Sequence, residues 1–217
     1  MTIPPPTQAD VLNILTHGVS QTDIAFTIPA NDGFTITVDG STFRNVANAI
    51  VSGRVHLAFP PHLRPLSAGA SAEYSTVEQP PPSYPPVSPA GIPYPPIPAN
   101  TLRVVRLDRV EDRAILLHEA IHASLDLIHN QDINRWFDEA AGYVAAWLYI
   151  LACRPGSHPN PRSAEIATAN AAFTIARLIR SHRPHPPVPY DRVDALATAI
   201  RNSPIYAGLS LFPPRDG

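Results

Sequence analysis

The sequence contains no lysine and only one cysteine, Cys153, among its 217 residues. A single cysteine excludes an intramolecular disulfide and a cysteine-based zinc knuckle, so an apolar core must stabilise the fold. Its 16 basic residues are therefore all arginines, and 18 acidic residues outnumber them. This balance argues against a nucleic-acid partner. The longest nearly apolar run covers residues 140–153 and is too short to cross a bilayer, which argues against a membrane partner.

The first ten residues also lack the features of a secretory signal peptide. They carry no positively charged segment and no apolar segment after it. We therefore expect a cytoplasmic protein, or one exported without a cleavable signal peptide.

Proline, in contrast, is abundant and unevenly distributed. Of the 27 prolines, 13 lie between Pro60 and Pro98. The part from Pro80 onwards is too rich in proline for a helix or a central strand, because proline has no backbone N–H and a fixed φ. We expect a long extended coil, which is also a candidate binding segment for a partner. It divides a single domain into a small α/β part at 1–59, the proline-rich segment at 60–100 and a helical part at 101–217.

Apolar periodicity predicts a helix-rich α+β fold with a small mixed sheet. In the first part it predicts helices at 8–17 and 44–51 and strands at 34–38 and 55–59. After the proline-rich segment it predicts a strand at 102–107 and helices from 110 to about 129, from about 133 to 153, at 163–181 and at 192–202. Asp108 is the predicted N-cap of the first of these four helices.

This first long helix contains the pattern HExxH, formed by His118, Glu119 and His122. Residues four apart share a helix face, so the two imidazoles can converge on one ion. Glu119 would then point towards a water on that ion. A catalytic zinc ion takes three protein ligands and leaves a fourth position for water, so the motif requires one more ligand.

Asp126, His129 and Glu139 are the candidates for this third ligand. Asp126 lies about 12 Å along the helix axis from His118, too far to share an ion. His129 would suit only if the helix ended early, and it is one residue out of register with the pattern HExxHxxGxxH. The helix runs about 10 Å past His122, and the next helix returns about 9 Å before it reaches Glu139. This geometry favours Glu139.

Over residues 115–149 the sequence resembles the gluzincin type of HExxH zinc metallopeptidase, in which a glutamate on the following helix is the third ligand. The resemblance rests on the HExxH pattern and on Glu139, which small residues follow. It implies that His118, His122 and Glu139 bind Zn²⁺, that Glu119 is the general base and that Asp138 orients a ligand histidine. It also implies a zincin-like fold, with the small sheet packed beside the HExxH helix.

Such an enzyme needs a hydrogen-bond donor for the oxyanion of the tetrahedral intermediate. Tyr143 is a candidate for this donor, because it lies one turn from Glu139. The other histidines and tyrosines that could serve are His158, His182, His185, Tyr190 and Tyr206.

The function that follows is a zinc-dependent metallopeptidase acting on a peptide or protein substrate, which would lie extended along an edge of the sheet. One alternative is a non-catalytic protein that binds a partner through its proline-rich segment. Another is a zinc hydrolase with a non-peptide substrate, similar to the HxxxH endoribonucleases. Their third ligand is a histidine near position 129.

Overall fold

The computed structural model describes residues 4–60, 66, 70–80, 91, 94, 96–128, 133–161, 163, 165–182 and 187–206. These residues form an α+β fold in which helices predominate and the strands make two small sheets. Among them, no helix has the length and apolar character needed to cross a membrane. Most of the segment 80–98, predicted to be an extended coil, lies outside the described residues.

The first part of the chain follows the apolar pattern closely. Its elements are α1 (Gln8–Thr16), α2 (Val19–Thr22), β1 (Phe26–Pro29), β2 (Thr35–Val38), α3 (Gly40–Val51) and β3 (His56–Ala58). The strand β1 was not predicted and pairs antiparallel with β2. Helix α3 starts four residues before the predicted position, because the Asp39 side chain accepts hydrogen bonds from the backbone N–H groups of Ser41 and Thr42.

A second sheet has the strand order β3-β5-β4, with β4 at Ala72–Ser75 and β5 at Thr101–Val104. Strand β5 runs parallel to β3 and antiparallel to β4. No strand was predicted within the proline-rich segment 60–100, so β4 was missed. The interval between Pro65 and Pro80 contains no proline, so its backbone can donate to a sheet. Glu73 of β4 also forms an ion pair with the opposite residue of β5, the buried Arg103, at 2.5 Å.

The helices after β5 are α4 (Val110–Leu127), α5 (Arg135–Cys153), α6 (Ile166–Ser181) and α7 (Tyr190–Arg201), and a 3₁₀ turn, Pro204–Tyr206, follows them. The prediction that Asp108 is the N-cap of α4 was wrong, because Arg109 takes that position. Its backbone N–H donates to the carboxylate of buried Asp112, which also accepts a bond from Arg106 Nε. A carboxylate in the first helical turn, like an N-cap aspartate, accepts hydrogen bonds from the free backbone N–H groups at the start of the helix.

Helix α5 lies at the centre of the helical part and packs against α4, α6 and α7. Helix α4 in turn contacts α5 and the strands β4 and β5. Its apolar residues Leu116, Leu117 and Ile121 are fully buried. The polar residues His118, Glu119 and His122, which alternate with them along α4, therefore lie where α4, α5 and β4 meet.

Candidate metal centre

The three polar residues of the HExxH pattern lie together on α4 and line a cleft of about 430 Å³. His118, Glu119 and His122 each offer a ligand atom, and these atoms lie within 4.8 Å of one another. The histidine side chains are only 11% and 14% exposed. Nearly buried imidazoles need polar partners, and the neighbouring helix α5 supplies them.

Glu139 of α5 reaches both imidazoles from the opposite side. Its Oε2 atom lies 3.2 Å from His118 Nε2 and 3.6 Å from His122 Nε2. The structure therefore brings together the three residues predicted as zinc ligands. His129, the alternative third ligand, lies outside the described residues.

Asp138 contacts the other ring nitrogen of His122, with its Oδ1 atom 2.8 Å from Nδ1. A proton donated from Nδ1 to this carboxylate fixes the ring orientation and leaves Nε2 as the atom for a cation. Residues 138 and 139 thus contact the same histidine from two sides. Asp138, which was predicted to orient a ligand histidine, thus contacts His122.

The close approach of α5 to His118 depends on Gly142. A Cβ atom placed there would lie 2.8 Å from Cγ and from Nδ1 of the His118 ring, too close for any side chain. Ala140, Ala141 and Ala145 are fully buried around it. As expected from their size, these small residues allow the two helices to lie against each other.

The ionisable groups in the cleft strongly shift one another's pKa values. Burial alone would lower the pKa of His122, but the carboxylates of Asp138 and Glu139 hold it well above its usual value. Burial alone would raise the pKa of Glu139, but His122 and His118 hold it well below its usual value. In the protein without a metal ion, a protonated His122 therefore balances the ionised Glu139. A divalent cation would take over the same role.

Glu119 is held differently from the ligand candidates. Its Oε2 atom accepts a hydrogen bond of 2.8 Å from the backbone N–H of Tyr74 in β4. Burial raises the pKa of Glu119, while the charges of His118 and His122 and this N–H bond oppose the shift. A carboxyl group whose proton affinity is raised in this way is suited to accept and return a proton.

Tyr206, in the 3₁₀ turn after α7, lines the cleft. Its hydroxyl group donates a hydrogen bond of 2.8 Å to Glu139 Oε2. The Tyr143 hydroxyl lies 3.3 Å from the Tyr206 hydroxyl and donates to Glu165 of the α6 N-cap. Burial, with Glu139 next, raises the pKa of Tyr206, so that its hydroxyl group stays protonated.

The remaining predicted donors lie elsewhere or are not described. The His158 ring packs against Phe173, and Tyr190 packs against Phe137. His182 is the C-cap of α6. His185 lies outside the described residues.

Sequence reasoning missed two residues of the cleft that contact Glu119 or Glu139. Tyr74 lies in the proline-rich segment, for which no strand was predicted, and no pattern in the sequence links it to Glu119. Arg135 lies one helical turn before Glu139, with its Nε atom 3.9 Å from Glu139 Oε1. Its spacing of four residues from a predicted ligand is a signal that could have identified it.

Comparison of the chain with protein-family models, with curated proteins and with solved structures finds no match. The candidate site therefore depends on the motif and on the geometry of the chain itself.

A Gly142→Ala substitution should displace His118 and weaken zinc binding by about tenfold or more, as changes that misorient a ligand do. The affinity can be measured by competition with a chelator. A Gly156→Ala substitution is the matched control, because a Cβ atom there meets nothing within 4 Å. Equal zinc affinity for both variants would contradict the assignment of His118 as a ligand.

Proposed function

We propose that the protein is a zinc-dependent metallopeptidase of the gluzincin type, in which His118, His122 and Glu139 bind the metal ion. The observation that supports this most strongly is the convergence of Glu139 Oε2 on the Nε2 atoms of both histidines. The hydrogen bond from His122 to Asp138 adds the support that ligand histidines usually receive.

The donor set fits zinc in its chemistry. Two imidazoles and one carboxylate are the ligands of many catalytic zinc sites, and they leave one position open. Zinc bound in such a set lowers the pKa of its water to about 7 and polarises a carbonyl group. The cleft beside the three ligands gives a substrate access to that position.

Glu119 is the general base in this proposal. One of its carboxylate oxygens accepts the Tyr74 N–H, and the other is left to take a proton from the attacking water. Its raised pKa allows it to pass that proton to the leaving amine.

Tyr206 is the proposed donor to the oxyanion. Its hydroxyl group lies at the ligand cluster, 2.8 Å from Glu139 Oε2, and its raised pKa keeps it a donor. Tyr143 is less suited to this role, because the residue does not line the cleft.

The substrate in this proposal is an extended peptide beside β4. This strand lies at an edge of its sheet and, with the residues that follow it up to Gln79, lines the cleft. Edge strands offer backbone groups that an extended chain can pair with. The exposed side chain of Ile205 adds an apolar surface at the same cleft.

A Glu119→Gln substitution should reduce peptide hydrolysis by at least about a hundredfold, because it removes the proton acceptor. Bound zinc, measured by metal analysis, should be unchanged. Glu111→Gln is the matched control, since Glu111 lies on the same helix and is exposed. Full activity of the Glu119→Gln variant would contradict the mechanism.

A Tyr206→Phe substitution should lower kcat by about a hundredfold while zinc stays bound, because it removes the only oxyanion donor proposed. The same substitution at Tyr143 should change kcat by less than about threefold, since that hydroxyl group acts outside the cleft. Steady-state kinetics with one peptide substrate compares the two. A larger loss at Tyr143 would assign the role to Tyr143 instead.

A further inference from the structure

Asp126 is an acidic residue of α4 that the proposed metal site does not use. It lies seven residues after Glu119, which is nearly two helical turns, or about 10 Å along the axis on the same face. Its Oδ2 atom accepts a hydrogen bond of 2.8 Å from the hydroxyl group of Tyr74. Asp126 therefore contacts the strand that also contacts Glu119.

Tyr74 forms two hydrogen bonds to α4, one from its backbone and one from its side chain. Its backbone N–H donates to Glu119 Oε2 and its side-chain hydroxyl to Asp126 Oδ2, each at 2.8 Å. We call this pair of bonds the Tyr74 clamp. It aligns β4 with α4, so that a shift of the strand along the helix would break both bonds at once.

The sheet supports the clamp from its other side. Glu73 pairs with buried Arg103 across β4 and β5. The side-chain oxygen of Asn100 lies 3.3 Å from the Tyr74 hydroxyl group. Asn100 has a φ of 55°, a left-handed conformation that asparagine adopts more readily than most residues, directly before β5 begins. The hydroxyl group of Tyr74 is thus bonded to the helix and lies beside the turn into the central strand.

We propose that Tyr74 and Asp126 are positioning residues that fix the carboxylate of Glu119 for proton transfer, an inference that rests on the proposed peptidase function. A backbone N–H can hold a carboxylate oxygen only if the strand keeps its register, and a strand of four residues has few bonds of its own to do so. Asp126 adds an anchor to the helix through Tyr74. The effect of both residues passes through Glu119 and not through the zinc ligands.

The test compares Tyr74→Phe, Asp126→Ala and Asp126→Asn with the wild-type protein. Tyr74→Phe and Asp126→Ala should lower kcat by about tenfold, the equivalent of one lost hydrogen bond to a charged group, while KM changes by less than about twofold. Zinc content should stay complete. Asp126→Asn keeps an acceptor for the hydroxyl group and should restore most of the rate.

Tyr149→Phe is the matched control. It removes the hydroxyl group of a buried tyrosine on α5, near Arg113 and Cys153. We expect wild-type kinetics from it. Tyr74→Phe removes a single oxygen atom, so it decides the matter even if Asp126→Ala fails to fold.

Amide hydrogen exchange at residue 74, followed by NMR, tests the clamp without any enzymatic assay. In Tyr74→Phe and Asp126→Ala this amide should exchange at least about tenfold faster than in the wild type, while the amides of α5 keep their rates. Unchanged exchange at residue 74, or a kcat within about twofold of the wild type in both variants, would overturn the proposal. A wild-type protein that binds zinc but hydrolyses no peptide would contradict the proposed function, and the exchange rates would then decide on the clamp alone.

Discussion

The distance between α4 and α5 at Gly142 is the constraint on which the candidate site depends. The His118 ring occupies the space where any other residue at position 142 would place its Cβ atom. This contact, with the buried alanines around it, brings α5 close enough for Glu139 to reach two imidazoles on the facing helix. A larger residue would separate the helices and leave nearly buried histidines and a buried carboxylate without partners. The core packing and the chemistry of the site therefore both require glycine at position 142.

The charges of the site explain why a cation suits it. Glu139 and Asp138 hold the pKa of His122 well above its usual value, although burial opposes this. A proton on that imidazole is thus what the protein uses to balance its carboxylates when no metal ion is bound. A metal ion bound at His122 would displace this proton, so its binding should release protons and strengthen as the pH rises. Tyr206 and Tyr74 donate hydrogen bonds to Glu139 and Glu119 without adding charge.

The sequence predicted the helices well because their apolar faces are long and regular. It also predicted that Glu139 would lie level with His122, since the rise per residue and the turn between two helices fix that height. It did not predict β4. Prolines lie on both sides of residues 66–79, and the short strand between them has no alternating apolar pattern that would indicate it. The contact from Tyr74 to Glu119 joins residues 45 positions apart and follows from the pairing of β4 with β5. The place of Tyr206 likewise depends on how the chain turns after α7, which no local pattern reveals.

The central claim is that His118, His122 and Glu139 bind one zinc ion. Isothermal titration of zinc into the wild-type protein and into Glu139→Gln and His129→Ala variants tests it most directly. The account predicts one zinc ion per chain in the wild type, similar affinity for His129→Ala, and an affinity weakened by at least about a hundredfold for Glu139→Gln, which loses a charged ligand. No zinc binding by the wild type, or a loss with His129→Ala and none with Glu139→Gln, would contradict it.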